Sequence, residues 1–161
     1  MNLIDRYVDL LKQYNEHTNV YSKKAYDKLD FHIQDCITLA ELIGNKSINI
    51  ADFGSGSGLP AIILGITNPS CTIYAIESKS RKTRFLNHVV KELTLSNVNI
   101  VTANAYEWAR YFSEQIDIIT AKAFASVDKI KTISKPLITH KNSQLFVPIS
   151  AQQALLYDSS N

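Results

Sequence analysis

The sequence predicts an α/β protein with a doubly wound parallel sheet of strand order 3-2-1-4-5. Apolar runs of strand length alternate along the chain with segments of helical periodicity. A glycine-rich turn, Gly54 to Gly58, follows the first run and opens into a helical segment. An acid, Glu77, ends the second run, 23 residues after Gly54. Because parallel strands end at one edge of a sheet, the turn and the acid are expected to form one site at the switch point of the strand order.

Two amphipathic helices are predicted before the first strand. Residues 2–14 repeat apolar side chains at helical spacing, and residues 26–43 do the same until Gly44 ends the pattern. The polar residues 15–24 between them predict a loop.

The remaining elements alternate strictly. Pro60 suits the first turn of a helix, since its missing N–H has no partner there, and Asn68-Pro69 stops that helix. A later helix begins near Ser80 and is expected to bury Leu86, Val89, Val90 and Leu93. The predicted strands are 48–53, 71–76, 98–102, 116–121 and 144–147, and the last two helices are 105–112 and 127–133, the latter ended by Pro136.

The chain of 161 residues is expected to form one compact domain. A helical cap, 1–46, precedes a sheet-containing core, 47–150, and a frayed tail, 151–161. There is no apolar run of bilayer-spanning length and no basic leader, which predicts a cytoplasmic protein without a membrane. The two cysteines lack metal-like spacing and predict reduced thiols and no metal. We expect a monomer.

The spacing of the glycines in the turn narrows the class of ligand that it is expected to bind. The sequence D-x-G-x-G-x-G has leucine where a dinucleotide fingerprint has its last Gly or Ala, and no Lys-Ser/Thr pair as in a P-loop. It also lacks the serine of a nucleophile elbow. The motif resembles the first motif of S-adenosylmethionine-dependent methyltransferases. That cofactor has no phosphate but carries a sulfonium and an ammonium, so Asp52, Gly54, Gly56 and Gly58 are predicted cofactor contacts, with Glu77 on the ribose hydroxyls.

Basic residues concentrate in the second half of the chain although the net charge is only +2. Lys79, Arg81, Lys82 and Arg84 follow one another with no acid between them. A basic helix of this kind favours a polyanionic partner, and solvated helix faces are the alternative.

Five ordered stretches are similar to the bacterial 16S rRNA guanine-N7 methyltransferases, the glucose-inhibited division protein B family. The stretches are 14–20 (family W-N-x-x-x-N-L), 32–36 (H-I-L-D-S), the glycine motif with Leu59-Pro60, 81–86 (K-R-x-x-F-L) and 120–126 (S-R-A-F-A). The resemblance implies a Rossmann-like methyltransferase fold that uses S-adenosyl-L-methionine to methylate a guanine in the 530 loop of 16S rRNA, naked or in the 30S subunit.

The resemblance also implies roles for individual residues. It implies cofactor contacts at Gly54, Leu59, Ala105, Tyr106 and Lys122, and Glu77 matches the ribose-binding acid. It places His32 and Asp35 by the cofactor cleft, where with Lys122 they would position the reactants. Asn15, Asn19 and the basic helix are the expected RNA contacts.

Three departures keep alternatives open. Lys122 stands where the family has arginine, Phe146-Val147-Pro148 replaces a lysine and glycine, and the chain stops soon after strand five. We therefore expect a form shortened at its C-terminus, without the last strand pair and with an exposed sheet edge. An inactive RNA-binding relative and a small-molecule methyltransferase are the alternative functions.

Overall fold

The computed structural model describes residues 1–122, 124–138 and 143–147. Its centre is a five-stranded parallel sheet of order β3-β2-β1-β4-β5, which confirms the predicted topology. The strands are β1 Asn49–Phe53, β2 Thr72–Glu77, β3 Val98–Thr102, β4 Ile118–Ala121 and β5 Gln144–Phe146.

Six α-helices and one 3₁₀ helix surround the sheet within the described residues. They are α1 Leu3–Tyr14, the 3₁₀ helix Lys23–Lys28, α2 Leu29–Ile43, α3 Ala61–Thr67, α4 Ser80–Leu93, α5 Ala105–Tyr111 and α6 Val127–Ser134. Helices α1 to α4 pack with one face of the sheet, and α5 and α6 pack with the other.

Alternating side chains of the strands separate two hydrophobic clusters. In β1, Ile50 joins the cluster of α1 to α4, whereas Ala51 and Phe53 join that of α5 and α6. Burial on both faces explains why the central strands β1, β2 and β4 are largely apolar. The site residues at the strand ends therefore stand on a rigid support.

The structure differs from the predicted elements before β1. Residues 23–28 form a 3₁₀ helix and α2 begins only at Leu29, whereas one α-helix was predicted from residue 26. Periodicity over so few residues does not separate the two kinds of helix. Val90 is half-buried rather than buried. The predicted tail, 151–161, lies outside the described residues.

None of the helices in the described part of the chain has the length and apolarity required to span a bilayer.

Candidate functional site

The glycine turn is attached to the end of β2 by backbone hydrogen bonds. The backbone N–H groups of Gly54 and Ser55 both donate to the carbonyl of Ile76, at 2.8 and 3.2 Å. The N–H of Gly58 closes the turn on the carbonyl of Ser55 at 2.7 Å. All three glycines have positive φ, where a side chain would be strained. The turn is thus fixed by its own chain at the carboxyl edge of the sheet.

The three glycines serve different purposes. A Cβ on Gly54 would lie 2.6 Å from the ring of Phe124, and one on Gly58 would lie 2.5 Å from Ile62. At Gly56 a Cβ would make only ordinary contacts, with the carbonyl oxygen of Gly54 at 3.8 Å and the ammonium of Lys82 at 4.0 Å. Bare backbone is therefore offered to a ligand at Gly56, and the other two glycines admit neighbouring side chains.

Glu77 connects the turn to the start of α4. One carboxylate oxygen accepts from the N–H of Gly56 at 3.0 Å, and the other accepts from the N–H of Lys79 at 2.8 Å. The residue is only 7% exposed. Each oxygen retains a lone pair, so a ribose diol could still be bound there.

A cavity of about 300 Å³ opens between the turn, the end of β2 and the start of α5. Four of the predicted cofactor residues line it: Gly54, Gly56, Glu77 and Ala105. The remaining lining residues are Ile76, Ser78, Lys79, Lys82, Ala103, Asn104 and Phe124. Below, we call this space the rim cavity.

A second cavity of about 430 Å³ shares Asn104 and Phe124 with the rim cavity and continues between α5 and α6. Tyr106, the other cofactor residue implied at this end of the sheet, lines this second space. The side chain of Asn104 caps α5 by accepting from the N–H groups of Tyr106 and Glu107. Asn104 was not predicted, although an asparagine before a helix is a recognisable cap.

Asp52 does not face either cavity. It is 1% exposed, and its oxygens accept from the hydroxyls of Thr120 and Ser55, each at 2.8 Å. Burial raises the pKa of its carboxyl to about 7. The predicted direct contact between Asp52 and the cofactor is therefore wrong. Because it joins β1, the turn and β4, Asp52 is a positioning residue.

Two other predicted cofactor residues also lie outside the rim cavity. Gly58 is buried against Ile62 and Leu86, and Leu59 is 9% exposed and belongs to the cluster of α1 to α4. Their place in the motif reflects packing of the turn on α3 and α4.

Lys122 and His32 contact each other outside the rim cavity. The Lys122 ammonium lies 3.3 Å from His32 Nδ1. Desolvation and the lysine charge lower the pKa of His32. An ammonium only donates, so Nδ1 accepts and Nε2 carries the imidazole proton. Asp35 and Lys122 line a third, largely apolar cavity of about 260 Å³ between α2 and the end of β4, which is separate from the rim cavity. That these two residues and His32 position the reactants stays a prediction.

The predicted RNA contacts fall into two groups. Asn15 is 3% exposed, and its amide bonds to Tyr21 and Tyr26 while its carbonyl accepts from Val20 and Tyr21. Asn15 therefore shapes the loop after α1, and the prediction that it contacts RNA is wrong.

Asn19 is exposed, as are Lys79, Arg81 and Arg84 around the start of α4. Lys82 differs from these basic neighbours because it is half-buried and lines the rim cavity. The exposed residues stay predicted RNA contacts.

Tyr7 reaches the glycine turn from the first helix. Its hydroxyl donates to the carbonyl of Ser57 at 2.7 Å, and the side chain is fully buried. Burial raises the pKa of this hydroxyl far above its ordinary value. The apolar pattern of α1 indicates burial of Tyr7, but no sequence signal reveals this bond to the turn.

These residues fit an adenosine-containing cofactor. Gly56 lines the rim cavity with bare backbone, and Glu77 presents acceptors beside it. The cavity then continues past Ala105 toward Tyr106, which gives room for an elongated ligand.

Comparisons with known proteins identify a family. The profile of the family GidB, rRNA small subunit methyltransferase G, matches residues 1–154. The protein named ribosomal RNA small subunit methyltransferase G from Malacoplasma penetrans is 35% identical over 127 residues, covering 78% of this chain and 51% of the relative. That from Desulfitobacterium hafniense is 32% identical over 151 residues, covering 92% and 62%. The chain thus spans between half and two thirds of the length of these relatives.

Solved structures share the fold. The precorrin-6y C5,15-methyltransferase of Geobacter metallireducens superposes with a TM-score of 0.64 at 18% identity, covering 86% of this chain and 72% of that one. An rRNA methylase from Streptococcus thermophilus gives a TM-score of 0.56 at 15% identity, covering 80% and 77%.

Proposed function

Since the chain belongs to the rRNA small subunit methyltransferase G family, we propose that it transfers a methyl group from S-adenosylmethionine to N7 of a guanine in the 530 loop of 16S rRNA. The substrate is 16S rRNA or the 30S subunit, and the protein acts in the cytoplasm. One observation carries the proposal: the Glu77 carboxylate accepts from the N–H of Gly56, and both residues line the rim cavity.

Gly56, Glu77, Asn104 and Ala105 are the residues that would hold the cofactor. When bound, it supplies an electrophilic methyl group on a sulfonium. Glu77 is held by two backbone N–H groups, so its acceptor lone pairs are already oriented toward the cavity before a ribose arrives. Asp52 and Tyr7 hold the turn from beneath, through Ser55 and Ser57.

The guanine needs positioning more than proton transfer. N7 already carries a lone pair, so no base has to remove a proton before it attacks. Reacting atoms must be held about 3–3.5 Å apart. The Nε2–H of His32, fixed by the bond from Lys122 to Nδ1, offers a neutral donor for orienting a base at this edge.

The start of α4 would bind the RNA backbone. Arg81 and Arg84 are exposed on the helix that follows the Glu77 strand. Contacts of this kind with phosphates fix the register of a nucleic acid without reading its sequence. A loop guanine is accessible there, whereas the major groove of an RNA duplex is too narrow for side chains.

Tritium transfer to 30S subunits that lack this modification tests the proposal. The purified protein is incubated with these subunits and tritiated S-adenosylmethionine, and the labelled nucleotide is mapped by mass spectrometry of rRNA fragments. Wild-type protein and the matched control Glu41→Ala, at an exposed position of α2, are expected to label one guanine. Glu77→Ala should lower labelling at least about tenfold, since it removes the acceptor for two N–H groups and for the ribose.

The other outcomes reject the proposal in distinct ways. Salt-sensitive RNA binding by folded wild-type protein without methyl transfer would indicate an RNA-binding protein. Labelling of a metabolite extract but not of rRNA would indicate a small-molecule methyltransferase.

A further inference from the structure

We propose that the ring of Phe124 holds the sulfonium of the cofactor, and that it thereby distinguishes the charged methyl donor from the neutral product, S-adenosylhomocysteine. The inference rests on the proposed function and extends it to a specificity-determining residue.

Phe124 is built into the wall of the site. Its ring packs on Phe53 of β1, with centroids 6.0 Å apart at 54°. Its Cδ2 lies 2.6 Å from the Cβ position of Gly54, so a side chain at residue 54 would displace it. Phe124 also lines both the rim cavity and the second cavity and so stands between them. A ligand that enters the rim cavity beside Gly54 meets this ring.

The order of the strands places the sulfur at the ring. Along the carboxyl edge, Ala105 follows β3, Glu77 ends β2, and Gly54 follows β1, with Phe124 beyond the end of β4. The cofactor has the same linear order: adenine, ribose, sulfur. If Glu77 binds the ribose and adenine lies toward Ala105, the sulfur, attached one carbon from the ribose ring, falls on the side of Gly54 and Phe124.

The charges around the rim cavity favour the Phe124 ring as the partner of the sulfonium. Among its described lining residues, Glu77 is the one carboxylate, and both of its oxygens already accept backbone N–H groups. Lys79 and Lys82 line the same space and add positive charge. Asp52, the nearby acid in the sequence motif, is buried beneath the turn with its oxygens on hydroxyls. The electron-rich face of an aromatic ring is then the attractive partner for a cation.

Cation–π attraction has a consequence for the product. A ring attracts a sulfonium but has no comparable attraction for the neutral thioether that remains after methyl transfer. With two lysines lining the site, a cavity without the ring would favour the product. Phe124 therefore counteracts product retention and shifts the preference toward the methyl donor.

Calorimetric affinities for three ligands test the inference without measuring activity. S-adenosylmethionine and sinefungin, whose amine carries a positive charge in place of the sulfonium, are compared with S-adenosylhomocysteine. Phe124→Leu should weaken the two charged ligands by about five- to tenfold and the product by less than about twofold. Phe124→Tyr is the matched control and should keep the wild-type ratio of affinities for the charged ligands and the product.

Incorporation of ring-fluorinated phenylalanine at position 124 keeps the shape and weakens the ring's attraction for cations. Affinity for the charged ligands should then fall with each added fluorine, even if Phe124→Leu does not fold.

Each remaining result overturns one of the two proposals. Equal losses for all three ligands would mean that Phe124 stacks on the common adenosine, and unchanged affinities would mean that it contacts neither part. Both results reject the sulfonium contact and leave the proposed function intact. If folded wild-type protein binds none of the three ligands, the proposed function itself is rejected and the sulfonium contact with it.

Discussion

Replacing Asp52 with asparagine should remove a pH-dependent loss of stability that we expect of the wild-type protein between pH 5 and pH 8. Asp52 is 1% exposed, and burial raises the pKa of its carboxyl from 3.8 to about 7 despite hydrogen bonds from Thr120 and Ser55. The folded state therefore binds a proton that the unfolded chain has released. A group whose pKa is raised on folding stabilises the protein most at low pH. That contribution is lost as pH rises toward the folded pKa.

The size of the effect follows from the two pKa values. Each unit of difference is worth about 1.4 kcal/mol, so a carboxyl moved from 3.8 to about 7 costs up to about 4 kcal/mol when it is ionised in both states. Part of that loss occurs below pH 5. Within the window from pH 5 to pH 8, we expect the free energy of unfolding to fall by about 2–3 kcal/mol through this residue.

Urea unfolding of both proteins at several pH values isolates this contribution. The difference between wild-type and Asp52→Asn cancels the titration of every other group, and it should move by about 2–3 kcal/mol in favour of the variant as pH rises. Asp9→Asn, at an exposed position of α1, serves as control and should run parallel to wild type. A difference that stays constant within about 0.5 kcal/mol, or moves the other way, would refute the buried, proton-binding carboxyl.

Three further outcomes are expected. Tyr7→Phe removes one buried hydrogen bond and should lower the free energy of unfolding by about 1–2 kcal/mol. The same variant should weaken cofactor binding in calorimetry, and unchanged affinity would show that α1 does not position the turn. Gly58→Ala places a Cβ 2.5 Å from Ile62 at φ 105° and should cost at least about 2 kcal/mol in urea unfolding. Gly44→Ala, which is also at positive φ (83°) but meets nothing within 4 Å, should cost less; equal costs would contradict this packing. Arg84→Gln should reduce the slope of log affinity against log salt for an RNA fragment by about 0.7–0.9. An unaltered slope would show that Arg84 on α4 does not contact the RNA backbone.

The fold was predictable because its signals are local. Central strands that are buried on both faces appear as largely apolar runs, and these runs alternate along the chain with segments of helical period. The relation of Gly56 to Glu77 was also within reach, since the turn and the acid both follow strands and parallel strands end at one edge.

The errors concern residues whose contacts the local sequence does not reveal. Asp52 lies between Ala51 and Phe53 in a buried strand, and from the sequence alone it resembles a ligand contact. In the structure its carboxylate accepts from the hydroxyl of Thr120, 68 residues later. Asn15 is satisfied by a loop whose path the sequence does not fix. The place of Phe124 beside Gly54 could not be predicted, because that contact depends on how β1 and β4 pair.

The bond from Tyr7 to Ser57 joins residues that are 50 positions apart, so the first helix supports the ligand turn from a distant part of the chain. A protease that removes the first helix would therefore lower ligand affinity without touching any cavity residue.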